Sequence, residues 1–185
     1  MTIRLTLLAA APGPALRAAR FDDDQPLDAR GLDAARAAAA ALPPAAQHHF
    51  TAPSLRCRQT ADALGLLALV EPALRDLDMG TWRGRTLDEL ADQDPAGLGA
   101  WTSDPTVAPH GGESVTDLCR RVGTWLDALP PGTGRALTVT EPAVIRAAIV
   151  HALAAPPTAF WRIDVLPLSI TQLTGRTSRW NLRLG

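Results

Sequence analysis

Lysine and tyrosine are absent from the chain, and all 18 of its basic residues are arginine. Without lysine there can be no Schiff base, no pyridoxal-phosphate anchor and no Walker-type phosphate lysine. A high-GC genome accounts most simply for the arginine bias. Cysteine is scarce: Cys57 and Cys119 lie far apart and form no Cys-x-x-Cys pair. Two structural thiols in a reducing, cytoplasmic setting are expected, rather than a disulfide. The 4 histidines have no metal-ligand spacing, so no metal and no cofactor are expected. Long apolar runs are missing too. Arg4 followed by Leu5 to Ala11 imitates the start of a signal peptide, but Pro12 and Gly13 interrupt it, and nothing downstream approaches the roughly 20 apolar residues of a membrane span. A net charge of −1 provides no field for nucleic acid or for an anionic membrane.

What is present is the profile of one soluble globular domain spanning 1–185: 46% hydrophobic and 20% charged side chains, enough chain to bury a core. Short apolar strands alternate with amphipathic helices. Strands are expected at Ile3 to Ala10, His48 to Thr51, Leu67 to Val70 and Ala136 to Thr140. Helices are expected at Asp28 to Leu42 (ended by Pro43-Pro44), Leu55 to Leu64, Thr86 to Asp94, Ser114 to Leu129 and Ala143 to Leu153. The stretch between the third and fourth of these, with Asp104-Pro105 and Gly111-Gly112, reads as loop. Ser169 to Thr174 and Arg179 to Leu184 flank Gly175-Arg176-Thr177-Ser178 as a hairpin. Such alternation predicts a three-layer α/β/α sandwich with a mainly parallel sheet and an antiparallel C-terminal hairpin. The hairpin's edge strand admits a homodimer. Ligands of such sheets sit beyond the carboxyl ends of the strands, here Ala9 to Gly13, Ala52 to Gln59 and Thr140 to Val144.

Four segments in order then carry a resemblance. Ala52-Pro53-Ser54-Leu55-Arg56-Cys57-Arg58-Gln59-Thr60-Ala61 resembles an SPLxRAxQTA pattern, and Leu74 to Gly84 resembles LxExxxGxWEG. Gly111-Gly112-Glu113-Ser114 matches a GGES loop, and Val139 to Arg146 is similar to VSHGGVIR. Together they resemble the histidine phosphatase superfamily, in its phosphoglycerate-mutase-like and α-ribazole-phosphatase-like branch. The resemblance implies a histidine at the end of the first strand that attacks phosphorus, arginines and a second histidine that cradle the phosphoryl oxygens, and an acid that protonates the leaving alcohol.

This chain departs from that pattern at its centre. The R-H-G motif falls on Ala9-Ala10-Ala11, and the second histidine falls on Glu141, followed by Pro142 and Ala143. Arg56 remains for the second arginine and Asp76 for the acid. Phosphohistidine cannot form on alanine. Glu141 also puts a carboxylate at a helix N-terminus that would otherwise hold phosphate; two unit negative charges about 4 Å apart repel by about 4 kcal/mol at an effective dielectric of about 20. Weak or absent phosphomonoester binding follows.

Three readings stand side by side. In the first, the protein is a catalytically degenerate homologue, a pseudoenzyme that binds a small molecule in the former cleft or regulates a partner. In the second, Glu141 and Asp76 form an acid/base pair acting on a non-phosphorylated substrate, although Glu141 is equally suited to the first turn of a helix. In the third, a phosphatase uses an unorthodox nucleophile, His110 or water. Arg56 either retains an anion or forms a salt bridge to Glu141 or Asp76; Arg17, Arg20 and His110 are further candidates for substrate contact. His48-His49 lie at the wrong end of their strand, His151 fits a packing or capping role, and Trp82 fits beneath its loop.

Overall fold

Ile3–Ala9 form β1, in which every residue but Arg4 is buried. A near-continuous apolar run of this kind suits a parallel strand covered on both faces. In the computed structural model, which describes residues 2–43, 46–176 and 178–184, β1 pairs in parallel with β4 (Arg135–Thr140) and antiparallel with β5 (Ile170–Arg176). β2 (His48–Thr51) lies parallel to β4 and to the short β3 (Leu69–Val70), and β6 (Arg179–Arg183) closes the far edge against β5. The 6-stranded sheet therefore runs β3-β2-β4-β1-β5-β6. This is the expected three-layer α/β/α architecture with its antiparallel terminal strands.

Helices α1 (Pro14–Arg17) and α2 (Ala29–Ala38) follow β1, and α3 (Leu55–Ala63) follows β2. After β3 come α4 (Leu87–Gln93), α5 (Pro95–Ser103) and α6 (Val115–Ala128); α7 (Pro142–Ala152) follows β4. α6 buries Val115, Leu118, Val122 and Leu126, the helical spacing of one apolar face, and packs on α7, while α2 packs on α3. Local caps set several of these starts. The Asp28 side chain accepts from Gly31 N–H, Thr86 and Glu89 form a reciprocal capping box, and the Ser114 hydroxyl accepts from Asp117 N–H.

Some expectations are corrected. The segment read as loop before Gly111 contains α5. Its sequence, PAGLGAWTS, buries no residue fully and lacks a helical stripe, so periodicity was silent, although Asp94 caps it and Pro95 opens it. α1 and a 3-10 turn at Pro157–Arg162 were likewise not expected. α2 ends earlier than expected and continues as a 3-10 turn, Ala39–Ala41, and the third strand shrinks to two residues. Pro44, part of the expected helix stop, and Thr177, in the expected hairpin turn, lie outside the described residues. Cys57 and Cys119 are both buried free thiols. Among the described residues no helix is long and apolar enough to cross a membrane.

Candidate functional site

The ends of β2, β4 and β1 are level with one another. Ala10 N–H donates to Thr140 O at 2.9 Å, and Ala52 N–H donates to Val139 O at 2.9 Å. The chain that leaves each strand therefore contributes to one cleft.

Beyond β4, Glu141 is the N-cap of α7, with extended backbone and Pro142 at the first helical position. Its carboxylate caps nothing; it turns inward and is wholly buried. Beyond β2, Ser54 is the N-cap of α3, its hydroxyl accepting from Cys57 N–H at 3.2 Å. That cap points the first turn of α3 at Glu141. Glu141 Oε1 accepts from the Ser54 hydroxyl at 2.6 Å and from the Cys57 thiol at 3.2 Å, and Oε2 is paired with Arg56 Nη2. Arg56 is 9% exposed, and its Nε lies 3.3 Å from Asp22 Oδ2 as an ion pair without hydrogen-bond alignment. Behind it, the Thr60 hydroxyl donates to Arg56 O and accepts from Ala11 N–H, tying the end of β1 to α3.

Asp76 arrives on a different segment. The Thr140 hydroxyl donates to Leu74 O, and Arg121 of α6 donates to the carbonyls of Ala73, Arg75 and Asp76 while pairing with Glu113. The Gly111 to Ser114 motif belongs to this frame: Gly112 packs so closely on Asp78 O that a Cβ would stand 2.0 Å from it, and Glu113 N–H donates to the same carbonyl. Asp76 Oδ1 accepts from Leu77 N–H at 2.8 Å. Burial, and then the negative charge of Glu141, push its carboxyl up to about 7, against the opposing effect of Arg56. Burial also raises Asp22, with Arg56 again in opposition.

One oxygen from each of Asp22, Asp76 and Glu141 lies within 4.8 Å of the others. Three carboxylates so close are a donor set for a hard cation. Arg56 already occupies that role, touching Glu141 and Asp22. The arrangement is a buried ion-pair cluster with one carboxyl, Asp76, poised to exchange a proton near neutrality.

Two cavities meet at this cluster and share Asp22, Asp76, Leu77 and Met79 in their walls. One, about 320 Å³, is polar and adds Asp24, Ser54, Arg75, Asp78 and Arg83. The other, about 280 Å³, reaches the end of β1 and is bounded by Ala10, Ala11, Phe21, Trp101, Pro142 and Phe160, among others. Arg146 and Arg20 line this second cavity. Arg146 Nε donates to Ile163 O, and its guanidinium carbon stands 5.5 Å from the Phe160 ring centre.

Of the residues singled out from sequence, the fold brings Arg56, Asp76 and Glu141 together, with Arg20 in the adjoining wall. Arg17 and His110 are not brought there. Arg17 is part exposed, ion-paired with Asp28 and donating to Pro12 O. His110 is 1% exposed, its ring 5.1 Å from that of Trp82, and its Nδ1 accepts from Gly112 N–H. Trp82 is buried beneath its loop as expected, and His151 pairs with Asp127. Sequence reasoning missed three site residues: Asp22, in the loop between α1 and α2, Ser54 and Arg146. Ser54 was legible as a helix cap after Pro53; Asp22 carried no local signal.

A family model described as the histidine phosphatase superfamily (branch 1) matches residues 14–184. The chain is 34% identical over 116 residues to a bifunctional protein of Mycobacterium tuberculosis, covering 60% of this chain and only 32% of that protein, so it spans about a third of that relative's length. It is 32% identical over 168 residues to a probable phosphoglycerate mutase from Enterobacter, covering 85% of this chain and 77% of the relative. Among solved structures, a mycobacterial glucosyl-3-phosphoglycerate phosphatase complexed with VO3 superposes with a TM-score of 0.83 at 27% identity, covering 98% of this chain and 97% of that one.

Proposed function

Because the chain belongs to the histidine phosphatase superfamily and yet carries Ala9-Ala10-Ala11 and Glu141 at the positions its motifs assign to the nucleophile, its arginine partner and the second histidine, we propose that it is a catalytically degenerate member. In this reading it has no phosphohistidine-based phosphatase or mutase activity and acts as a binding or regulatory protein through the former cleft. The observation that carries the reading is the engagement of Arg56. A phosphate-binding arginine needs its guanidinium free for phosphoryl oxygens, which it grips two at a time. Here one edge is held by the fully buried Glu141 and Nε lies against Asp22. An entering phosphate dianion would meet Glu141 where the family's second histidine would stand, with Asp22 beside Arg56, and at the end of β1 it would meet a methyl group. Among the described residues, no histidine lines either cavity at the cluster, which removes support from His110 as a substitute nucleophile. The two buried thiols support a reducing, cytoplasmic setting.

One observation favours the second reading, acid/base chemistry on a non-phosphorylated substrate: Asp76 has its carboxyl raised to about 7 in a cavity wall. Glu141, with three donors on it, is a positioning residue for Arg56 rather than a free base, so that reading narrows to Asp76 alone. Hydrolysis of p-nitrophenyl phosphate and a panel of metabolite phosphates decides between the family's chemistry and its loss. No turnover above buffer is expected; turnover that disappears in Arg56→Ala would overturn the proposal.

A further inference from the structure

At the end of the sheet away from the cleft, the strands present a surface of one charge. Arg4 and Arg135, near the starts of β1 and β4, lie directly opposite each other. Arg4 also aligns with Thr174 of β5, Thr6 with Gln172, Gln172 with Arg183 of β6, and Arg176 with Arg179. Side chains in register share a face of a sheet, as do alternate residues along one strand. Arg4, Arg135, Arg176, Arg179 and Arg183 therefore stand on one face, while Leu5, Leu173 and Trp180, which alternate with them, are buried on the other. None of these four strands contains a carboxylate residue.

All five arginines are exposed, and none has an ion-pair partner among the described residues. Like charges directly opposite in a sheet are destabilising, and Arg4 with Arg135 and Arg176 with Arg179 are two such pairs. Charge on an edge strand discourages pairing with another chain, which accounts for Arg179 and Arg183 on β6. β1 and β4 are interior strands, so edge protection does not account for Arg4 and Arg135. An anion seated between these guanidinium groups removes their repulsion.

The face is also concave. Arg4, Arg135 and Arg183 bound a cavity of about 300 Å³ together with Thr6, Gln172 and Thr174. That volume lies at the small end of the range for small-molecule sites. Among the described residues no aromatic ring lines it, so nothing stacks on a base, and the anion itself is the recognised part. β6 is two strands from β1, which puts the strands of Arg4 and Arg183 about 10 Å apart. A compact monoanion reaches only part of so spread a charge. A phosphate has three terminal oxygens against the two of a carboxylate, so a guanidinium fork can hold two while the Thr hydroxyls and the Gln172 amide donate to the rest.

We propose that this face is a binding site, separate from the cleft, for a small molecule carrying a chain of at least two phosphate groups, held by Arg4, Arg135 and Arg183. The site lies at the opposite ends of the parallel strands from the cleft, so its occupancy is independent of turnover there.

The test is calorimetric titration of the full chain with inorganic triphosphate in metal-free buffer, beside orthophosphate, citrate and a single-stranded oligonucleotide. Saturable one-to-one binding of triphosphate is expected, weakening as salt is raised. Arg4→Gln and Arg183→Gln each remove one charge-assisted contact and should weaken it at least about tenfold; both positions are exposed, so the free variants should keep the parent Tm. Arg120→Gln removes the same charge from an exposed position on α6, outside the cavity, and should leave the affinity within about twofold. Failure of triphosphate to saturate, or binding that survives both Arg4→Gln and Arg183→Gln, overturns the site. An equal loss in Arg120→Gln overturns it too, by showing a general field rather than a site. Orthophosphate or citrate binding as tightly as triphosphate would refute the ligand class, and an oligonucleotide binding more tightly would make the face a nucleic-acid surface instead.

Discussion

Glu141→Gln changes almost no volume and removes one charge, so its cost reads the buried ion pair directly. Glu141 is wholly buried, and Arg56, 9% exposed, would keep only Asp22, at 3.3 Å from Nε. Breaking one partner out of a buried pair costs about 3–5 kcal/mol because the remaining charge is left desolvated. Asp22 stays in place, and the glutamine oxygen can still accept from Ser54, so the lower end, about 3 kcal/mol, is expected. For a chain of this size each kcal/mol moves the Tm by about 2–4 °C, so a fall of about 6–12 °C follows. Thermal and urea unfolding by circular dichroism should be run at pH 6. There Asp76 is mostly protonated, given a carboxyl at about 7, and relief of its repulsion from Glu141 does not mask the loss. Arg56→Met and the double variant complete a cycle. The double variant should recover much of the loss, since removing both charges leaves neither one buried alone. A Tm change below about 2 °C for Glu141→Gln, or additive losses in the cycle, would refute the buried clamp.

The same cluster predicts a pH dependence. Asp76 holds its proton up to about 7 in the folded chain and only to about 3.8 when unfolded, so its stabilising contribution is complete below about pH 4 and lost as pH rises to about 7. The loss is at most about 1.4 kcal/mol per pH unit and about 4 kcal/mol in all; Asp76→Asn should flatten the urea-unfolding profile between pH 4 and pH 8, and parallel profiles would contradict the assignment. Two glycines make opposite predictions. Gly112→Ala drives a Cβ to 2.0 Å from the backbone oxygen of Asp78 and should cost about 3 kcal/mol. Gly99→Ala in α5 meets nothing within 4 Å and should stabilise by about 0.5–1 kcal/mol; differential scanning calorimetry of the pair checks both, and a stable Gly112→Ala would show that the loop can relax.

The alternation of strands and helices, the strand ends and most helix caps were determined by the sequence itself. The signals for these elements lie within a few residues of one another: an apolar period, a capping serine or aspartate, a proline at a first turn. α5 escaped because its apolar residues, spaced by glycines, carry no period, and α1 and the 3-10 turn at Pro157–Arg162 are too short to carry one. The fall of the R-H-G motif on Ala9-Ala10-Ala11 was likewise read from sequence alone. Tertiary structure alone decided which of the candidate site residues share one cluster. Arg56 and Glu141 are separated by 85 positions, and Asp22 comes from a loop that no motif marked. Sequence left Arg56 between holding an anion and closing a salt bridge; in the fold it is paired with Glu141, where α3 meets the start of α7. Arg17 and His110 were as eligible as Arg20 by position along the chain, yet one is tied to Asp28 and the other is buried against Trp82. Ion pairing and desolvation depend on which groups share a water-excluded volume, and that is a property of the assembled layers rather than of any segment.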